Sequence, residues 1–306
     1  MLRPDGLKKR DAVLRALRQF FHSQGYLEVE TPIRLPAPAP EAHIEPVRTD
    51  GWFLQTSPEL CMKRLLAAGC DKIFQICRCW RRGERGSRHL PEFTMLEWYR
   101  THSDYRDLMA DCEELFLHLA AALGGERAVG GPPALTVDGR VISLTRPWER
   151  ITVAEAFHRW GQVSLRTALA DNLFEEVLCR DIEPHLGQAG PALLYDYPAA
   201  LGALARLKAD DPQVAERFEL YINGIEIANG FSELTEPVAQ RRRFVAEMET
   251  VRSLGRQPGP MPEPFLADLA RLPPAAGIAL GVDRLVMLLL DVRTIDEAVS
   301  FTPEEL

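Results

Sequence analysis

The sequence lacks both an apolar run long enough to cross a membrane and an excess of positive charge. A transmembrane helix needs about 20 apolar residues, and the longest apolar run here covers only residues 285–290. The N-terminal residues 1–11 also lack the apolar core of a signal peptide. We therefore expect a cytoplasmic protein that has no contact with a membrane.

The balance of charges excludes a second class of protein. The chain has 36 Lys and Arg residues against 44 Asp and Glu residues, which gives a formal net charge of -8. A protein that binds nucleic acid through general electrostatics carries the opposite sign, although a local basic patch could still bind it. The arginines are therefore expected to serve a small anionic ligand, and tRNA is not an expected partner.

Paired cysteine motifs are also missing. The six cysteines form no CxxC pair, and Cys77 and Cys79 alternate along one predicted strand. This spacing excludes a zinc knuckle, so we expect reduced structural thiols. The 306 residues, 46% of them hydrophobic, are enough for one large domain over residues 1–306 with a sizeable core.

The most informative stretch runs from residue 73 to residue 100. Apolar residues at 73–76 and 93–99 predict two antiparallel strands, joined by a basic loop that contains two glycines. A loop of this kind suits a phosphate group, whereas an isolated arginine cluster is more often a solvated basic hairpin. The cationic residues around the turn are Arg78, Arg81, Arg82, Arg85, Arg88 and His89.

This stretch resembles the second signature motif of the class II aminoacyl-tRNA synthetases. The resemblance implies that Arg81 holds the α-phosphate of ATP and the amino acid carboxylate, and that Phe93 stacks against adenine. Fixed guanidinium groups also suit the chemistry, because attack of a carboxylate on phosphorus brings two anions together. One departure is Leu90, where the family usually has Asn. The other motif residues expected to contact ATP are Arg82, Gly83, Glu84 and His89.

Two further motifs of the same family stand in the expected order. A predicted helix over 7–24, Gly25, a strand and Pro32 resemble the first motif, which forms the dimer interface in that family. Residues 277–291 resemble the third, in which Gly281 and the helix-start residue Arg284 face ATP. Together they imply an α+β class II catalytic core, a mixed and mostly antiparallel sheet flanked by helices, and a homodimer.

A predicted hairpin over residues 217–234 carries several carboxylates. Asn223-Gly224 favours a two-residue turn that pairs Ile222 with Ile225 and Leu220 with Ile227. In the same register Tyr221 pairs with Glu226 and Glu219 with Ala228, so Glu219 and Glu226 share a face, with Glu233 beyond. Carboxylates so gathered repel one another unless a cation lies between them, which predicts a Mg²⁺ site beside the ATP phosphates. The alternative interpretation is an exposed sheet face with scattered acidic residues.

The segment 56–59, Thr-Ser-Pro-Glu, has two interpretations. Capping predicts Ser57 as the N-cap of a helix that has Pro58 at its first position and Gly69 after its end. The segment also resembles the lysyl-tRNA synthetase subgroup, where it lies beside the amino acid. The subgroup resemblance implies a contact of Glu226 and Ile227 with ATP, and an acidic pocket for a diamino acid formed by Ser57, Pro58, Glu59, Glu97, Tyr99, Asn229, Glu233 and Ala279.

Two departures from lysyl-tRNA synthetases refine the function. The first motif begins within about ten residues of the N-terminus, which predicts no anticodon-binding domain, and Ala279 replaces a glycine of the third motif. Both resemble the short paralogues that use ATP to ligate (R)-β-lysine to a lysine of elongation factor P. Alternatives are a truncated lysine-activating synthetase, an amide-forming synthetase and a non-catalytic regulator. The proline-rich loop 35–48 is expected to be mobile or to cover the substrate.

Overall fold

An eight-stranded sheet forms the centre of the computed structural model, which describes residues 2–124 and 133–306. The strands lie in the order β1-β5-β6-β13-β12-β11-β10-β9; β1–β5 and β10–β9 are parallel and the other neighbours antiparallel. The predicted α+β fold with a mixed, mostly antiparallel sheet is confirmed. The strands are β1 (Leu27–Glu28), β5 (Lys72–Trp80), β6 (Glu92–Thr101), β9 (Glu149–Thr152), β10 (Ala192–Pro198), β11 (Val214–Ile222), β12 (Ile225–Ser232) and β13 (Ala275–Gly281).

Two small sheets and the helices surround it. One small sheet has the order β2-β4-β3 and the other pairs β7 with β8. Their strands are β2 (Arg34–Leu35), β3 (Arg48–Thr49), β4 (Trp52–Leu54), β7 (Ala134–Val137) and β8 (Arg140–Ser143). The α-helices are α1 (Pro4–Ser23), α2 (Glu59–Ala67), α3 (Tyr105–Leu123), α4 (Val153–Trp160), α5 (Leu165–Ala170), α6 (Phe174–Val177), α7 (Pro237–Ser253), α8 (Glu263–Leu269) and α9 (Val282–Leu289).

The main core lies between α1, α3 and α9 and the large sheet. Helix α1 buries Val13, Leu17, Phe20 and Phe21, which recur at helical spacing and so form one apolar face. A second cluster packs α2 and α8 against the sheet. None of the helices in the described part of the chain is long and apolar enough to span a membrane.

The first helix and strand differ in length from their predictions. The helix begins at Pro4 rather than at residue 7, and proline suits a first turn because its missing N–H needs no partner there. It ends before Gly25, whose φ of +76° is the left-handed conformation that glycine adopts readily. The strand predicted between Gly25 and Pro32 is only the two residues of β1.

The capping interpretation of Ser57 is wrong by one residue. Helix α2 begins at Glu59, with Pro58 in the cap position and no side-chain cap. The Ser57 hydroxyl accepts a hydrogen bond from the Glu59 N–H at 3.0 Å and donates one to Glu97 at 2.6 Å. Ser57 therefore bonds to the first N–H of the helix from outside the cap position and joins the helix end to strand β6.

The predicted hairpin of β11 and β12 is present, but two of its four predicted residue pairs are wrong. Asn223 and Gly224 have φ values of 51° and 68°, and the pairs Ile222–Ile225 and Tyr221–Glu226 form as predicted. An irregularity between Leu220 and Tyr221 then places Leu220 opposite Ala228 and Glu219 opposite Asn229. Ile227 is the extra residue of a bulge. The predicted pairs Leu220–Ile227 and Glu219–Ala228 are absent.

Candidate active site

A cleft of about 220 Å³ opens over the middle of the large sheet. Its walls come from β6, β12 and β13, from the loop 81–91 between β5 and β6, and from the start of α9. The loop 36–47 contributes Glu41 and Ile44 to the same cleft, so part of the proline-rich segment covers it. The predicted site residues that line the cleft are Ser57, Glu59, Arg81, Glu84, His89, Leu90, Phe93, Glu97, Tyr99, Glu226, Ile227, Asn229, Ala279, Gly281 and Arg284.

Arg284 lies at one end of the cleft, in the first turn of α9. Its Nη1 donates to the Glu226 carboxylate at 3.1 Å and to the Glu226 carbonyl at 3.0 Å. Its Nε donates to the Arg88 carbonyl at 3.2 Å, and its Nη2 lies 2.5 Å from His89 Nε2. Burial and the Arg284 charge hold the pKa of His89 below its ordinary value, which leaves the ring free to accept this bond. Arg284 thus joins β12 to the loop 81–91.

Arg81 lines the cleft directly after the end of β5 and leaves its guanidinium tip available. The Arg81 guanidinium carbon is 5.1 Å from the centre of the Phe93 ring, a cation–π contact that fixes both groups. Its Nε reaches the Thr56 carbonyl at 3.4 Å, and Glu84 lies 3.9 Å from Nη1. Neither Nη atom makes a hydrogen bond to another described residue, so an anion can bind there.

Two carboxyl groups, those of Glu219 and Glu226, lie on neighbouring strands. Burial raises the pKa of Glu219 to about 7, and its oxygens accept hydrogen bonds from Tyr197 at 2.5 Å and Tyr221 at 2.7 Å. Burial also disfavours the charged form of Glu226, but the nearby Arg284 outweighs it and holds that pKa below the ordinary value. Glu226 is therefore ionised and faces the cleft.

Buried carboxyl groups form the opposite end of the cleft. Glu97, on β6, accepts hydrogen bonds from Ser57 at 2.6 Å and from the Tyr99 hydroxyl at 2.7 Å. Burial raises the pKa of Glu97 to about 7, and the charge of Glu59 adds to the effect. Ala279 stands directly opposite Glu97 in the sheet and beside Asn229 on the next strand.

A buried lysine, which the sequence analysis did not identify, lies among these acids. The Lys63 ammonium, with 2% of its side chain exposed, forms ion pairs with both Glu59 and Glu233. Burial lowers the pKa of Lys63, but the two carboxylates outweigh this effect and raise it. Lys63 follows Glu59 by four residues on one helix, a spacing that could have predicted their contact. Its contact with Glu233 requires the fold.

Comparison with known proteins agrees with this geometry. The family model of class II tRNA synthetases (D, K and N) matches residues 4–305. The chain belongs to this family. A protein of Salmonella gallinarum named elongation factor P–(R)-β-lysine ligase is 38% identical over 97% of this chain and 94% of its own. A protein of the same name from Pectobacterium carotovorum is 39% identical, over 97% of this chain and 95% of its own.

The three motifs of the class II family lie in this chain where their order predicts. The first is α1 with β1, the second is the hairpin of β5 and β6, and the third is β13 with α9. In the second motif, Trp80 pairs with Glu92 and Cys79 with Phe93, which confirms the antiparallel strands. The first and third motifs lie near opposite ends of the chain and meet through the Arg10–Asp283 ion pair, at 2.7 Å.

Five of the predicted site residues do not line the cleft. Arg82 turns away and pairs with Glu45 at 2.8 Å, and Gly83 supplies a turn with a φ of +76°. Pro58 occupies the cap of α2, and Glu219 lies behind the surface. Glu233 is fully buried beside Lys63, and its Oε1 has no hydrogen-bond partner among the described residues.

The described part of the chain assembles no metal site of three carboxylates. No group of three or more His, Cys, Asp or Glu side chains within residues 2–124 and 133–306 has a metal-binding arrangement. The predicted trio of Glu219, Glu226 and Glu233 is not gathered, because Glu233 is held by Lys63 instead.

Gly277 borders the cleft beside Tyr99 and the buried Glu233. A methyl group built on Gly277 would overlap the Tyr99 ring and would lie 2.5 Å from Glu233 Oε1. Such distances are shorter than atoms tolerate, so only glycine fits here. The buried acid and the tyrosine thus use the space that a side chain at residue 277 would take.

Proposed function

We propose that the protein is an ATP-dependent ligase that activates (R)-β-lysine as an adenylate and transfers it to a lysine side chain of elongation factor P. The observation that carries this proposal is a single cleft with arginines at one end and buried acids at the other. Relatives that carry this name match the chain over 97% of its length. The arginine end suits the phosphates of ATP, and the acidic end suits the ammonium groups of a diamino acid.

Activation requires a carboxylate to attack the α-phosphorus of ATP. Arg81, with its free guanidinium tip, would hold the two anions together, and Arg284 would bind the rest of the triphosphate. Phe93 offers a ring face to adenine, and Gly281, which carries no side chain, leaves room beside Arg284. Leu90 is buried in the wall and contributes an apolar surface where the family has a polar one.

Mg²⁺ fits the ionised carboxylate of Glu226 better than the other predicted ligands. Glu226 lines the cleft and is charged, and Glu219 is the adjacent carboxylate, whereas Glu233 is neutralised by Lys63. Glu226 would hold the ion, which would supply positive charge to the phosphates, and Glu219 would lie behind it as a buried neighbour. Arg217 donates to Glu219 at 2.7 Å and to Asn229 at 3.2 Å, which fixes both side chains.

The amino acid would lie between Arg81 and the acidic end. Its ammonium groups would face Glu59, Glu97 and Tyr99, while Asn229 and Ala279 border the reacting carboxylate. The positive charge of Lys63 balances part of the negative charge of Glu59 and Glu233. The pocket therefore carries less net negative charge than the three acids Glu59, Glu97 and Glu233 would give alone. Glu97, with a pKa near 7, can ionise when an ammonium group arrives.

A direct assay can test the proposal. ATP–pyrophosphate exchange with (R)-β-lysine, α-lysine and aspartate would measure activation of each amino acid. Mass spectrometry of elongation factor P and charging of tRNA would then identify the acceptor. We expect exchange to be fastest with β-lysine and the factor to gain the mass of one β-lysyl group. Efficient charging of tRNA with an unmodified factor would refute the proposal.

We also propose a homodimer formed through the first motif. Leu27 in β1 and Ile33 in the following segment expose 58% and 49% of their surfaces, which leaves an apolar area uncovered on the single chain. Sedimentation at micromolar concentration should give twice the mass of the chain.

A further inference from the structure

Glu41 lies at the mouth of the cleft, in the proline-rich loop between β2 and β3. It lines the cleft and also an adjoining depression that the loop forms with residues 251–259. The family resemblance assigned no role to it, and the sequence analysis did not identify it. Its side chain is therefore placed between the adenylate site and the outside of the protein.

The residue that follows Glu41 is anchored on both sides. The Ala42 N–H donates to the Glu247 carboxylate of α7 at 2.7 Å, and the Arg256 guanidinium donates to the Ala42 carbonyl. Ala42 exposes only 2% of its surface, and Glu45 further along the loop pairs with Arg82 at 2.8 Å. The loop thus holds the Glu41 backbone at a fixed place above the cleft.

Every other carboxylate that lines the cleft already has a partner. Glu59 pairs with Lys63, Glu226 with Arg284, and Glu97 with Ser57 and Tyr99. Glu84 lies 3.9 Å from Arg81, and Asp283 pairs with Arg10 at 2.7 Å. Glu41 has no hydrogen bond or ion pair with another residue in the described ranges, so its carboxylate is available to a ligand.

Transfer of the acyl group to a protein lysine needs a base that removes a proton from the lysine side chain. A lysine side chain has an ordinary pKa of about 10.4, so at neutral pH it is almost entirely an ammonium ion that cannot attack a carbonyl carbon. Arg81 stays protonated at neutral pH and cannot accept this proton, so the base is another group that borders the cleft. A carboxylate at the mouth would both attract the ammonium group and remove its proton.

We propose that Glu41 is the general base that takes a proton from the acceptor lysine in the transfer step. The freed nitrogen lone pair forms the C–N bond with the adenylate carbonyl carbon, and the C–O bond to the phosphate breaks with its electron pair leaving on AMP. The second nitrogen proton goes to the departing phosphate oxygen. This assignment rests on the proposed function.

The charges around Glu41 suit this role. Arg81 and Glu84 face it from the loop 81–91, Glu59 from α2 and Glu247 from α7. Burial raises the pKa of Glu41 to about 7; Arg81 opposes the rise and the three carboxylates add to it. A base with this pKa can accept a proton and release it again near neutral pH.

The test separates activation from transfer. In Glu41→Gln, ATP–pyrophosphate exchange with β-lysine should stay near the wild-type rate, while single-turnover transfer from the preformed adenylate to elongation factor P falls about 100-fold or more. Hydroxylamine, which is a free base at neutral pH, should trap the adenylate equally fast in both proteins. Glu41→Asp should recover part of the transfer. His43→Gln, on the same loop but with an exposed side chain, is the matched control and should transfer normally.

Two results would overturn the role of Glu41. One is wild-type transfer by Glu41→Gln, and the other is an equal loss of exchange, trapping and transfer, which would make Glu41 part of the activation site. Failure of the wild-type protein itself to carry out exchange with β-lysine is a different result. It would overturn the proposed function and, with it, the role of Glu41.

Discussion

At the scale of single residues, Arg284 connects more parts of the cleft than its position in the sequence suggests. It holds the carboxylate of one strand, the backbone of the loop 81–91 and a histidine ring. These contacts place a fixed positive charge where the triphosphate is proposed to bind. The sequence could predict Arg284 because it stands at a recognisable strand-to-helix junction.

We predict that Arg284→Ala nearly abolishes adenylate formation while the protein stays folded. Loss of one preorganised charge of this type costs about two to three orders of magnitude in rate. ATP–pyrophosphate exchange measures the loss, and circular dichroism checks the fold. Arg293→Ala is a suitable control, because Arg293 is 88% exposed. Normal exchange by Arg284→Ala would contradict the assignment of the third motif.

Ala279 is predicted to distinguish β-lysine from α-lysine. Its methyl group borders the cleft opposite Glu97, where it would crowd an amine on the carbon next to the carboxylate. Ala279→Gly should therefore improve kcat/KM for α-lysine relative to β-lysine. One methyl group changes specificity by about 10-fold to 200-fold. Exchange assays with both amino acids give the ratio, and an unchanged ratio would leave Ala279 with a packing role.

Lys63 and Glu41 show which residues the sequence could not reveal. Arg81, Phe93 and Glu97 were predicted because their spacing within one hairpin carries the information. Lys63 pairs with Glu233, 170 residues away in the chain, and the availability of Glu41 depends on the partners of five other acids. Such properties depend on long-range packing, so local spacing does not contain them.

At the scale of elements, the hairpin of β11 and β12 was half predictable. The Asn-Gly turn fixed the first two pairs, since both residues adopt positive φ there. The bulge after Glu226 was not predictable, because Ile227 and Ala228 are both apolar and either could be the extra residue. The bulge places Glu219 opposite Asn229, where both side chains bond to Arg217.

A side chain at Gly224, in the turn between β11 and β12, should destabilise the protein. Gly224 has a φ of +68°, and a methyl group there would lie 3.1 Å from the Glu183 carbonyl. Gly224→Ala should lower the free energy of unfolding by about 1 kcal/mol. Gly86→Ala is the matched control, because nothing lies within 4 Å of its added methyl group and its φ is not in the left-handed region. Urea denaturation compares the two; equal stabilities would contradict the argument.

At the scale of the whole molecule, three motifs spread over the chain meet at one cleft. Their order and the apolar periodicity predicted the fold class, the central sheet and most of the residues that line the cleft. The predictions were wrong for the lengths of α1 and β1 and for the start of α2. Helix caps and strand ends depend on tertiary contacts, such as the hydrogen bond from Ser57 to Glu97.

The buried acids should make the stability of the protein depend on pH. The pKa of Glu97 is 4.5 ordinarily and about 7 in the fold, so between these values the folded state binds more protons than the unfolded state. The free energy of unfolding from this group is therefore largest below pH 4.5 and falls as pH rises to about 7. A shift of this size corresponds to about 3 kcal/mol.

Glu97→Gln removes this dependence, since glutamine does not titrate. The difference in unfolding free energy, mutant minus wild type, should increase by about 3 kcal/mol between pH 5 and pH 8. Urea denaturation at several pH values measures it, and Glu92→Gln on the exposed end of the same strand is the control. A difference that does not change with pH would mean that Glu97 is charged in the folded protein throughout.

The contrast between Gly277 and Ala279 limits how the substrate range of this protein can be redesigned. The two residues lie on one strand and border the same cleft. Residue 277 is closed to every other amino acid by Tyr99 and Glu233, whereas residue 279 already carries a side chain. A saturation library should therefore recover only glycine at 277 and several small residues at 279. New specificities would be reached through residue 279, while the strand around residue 277 stays unchanged.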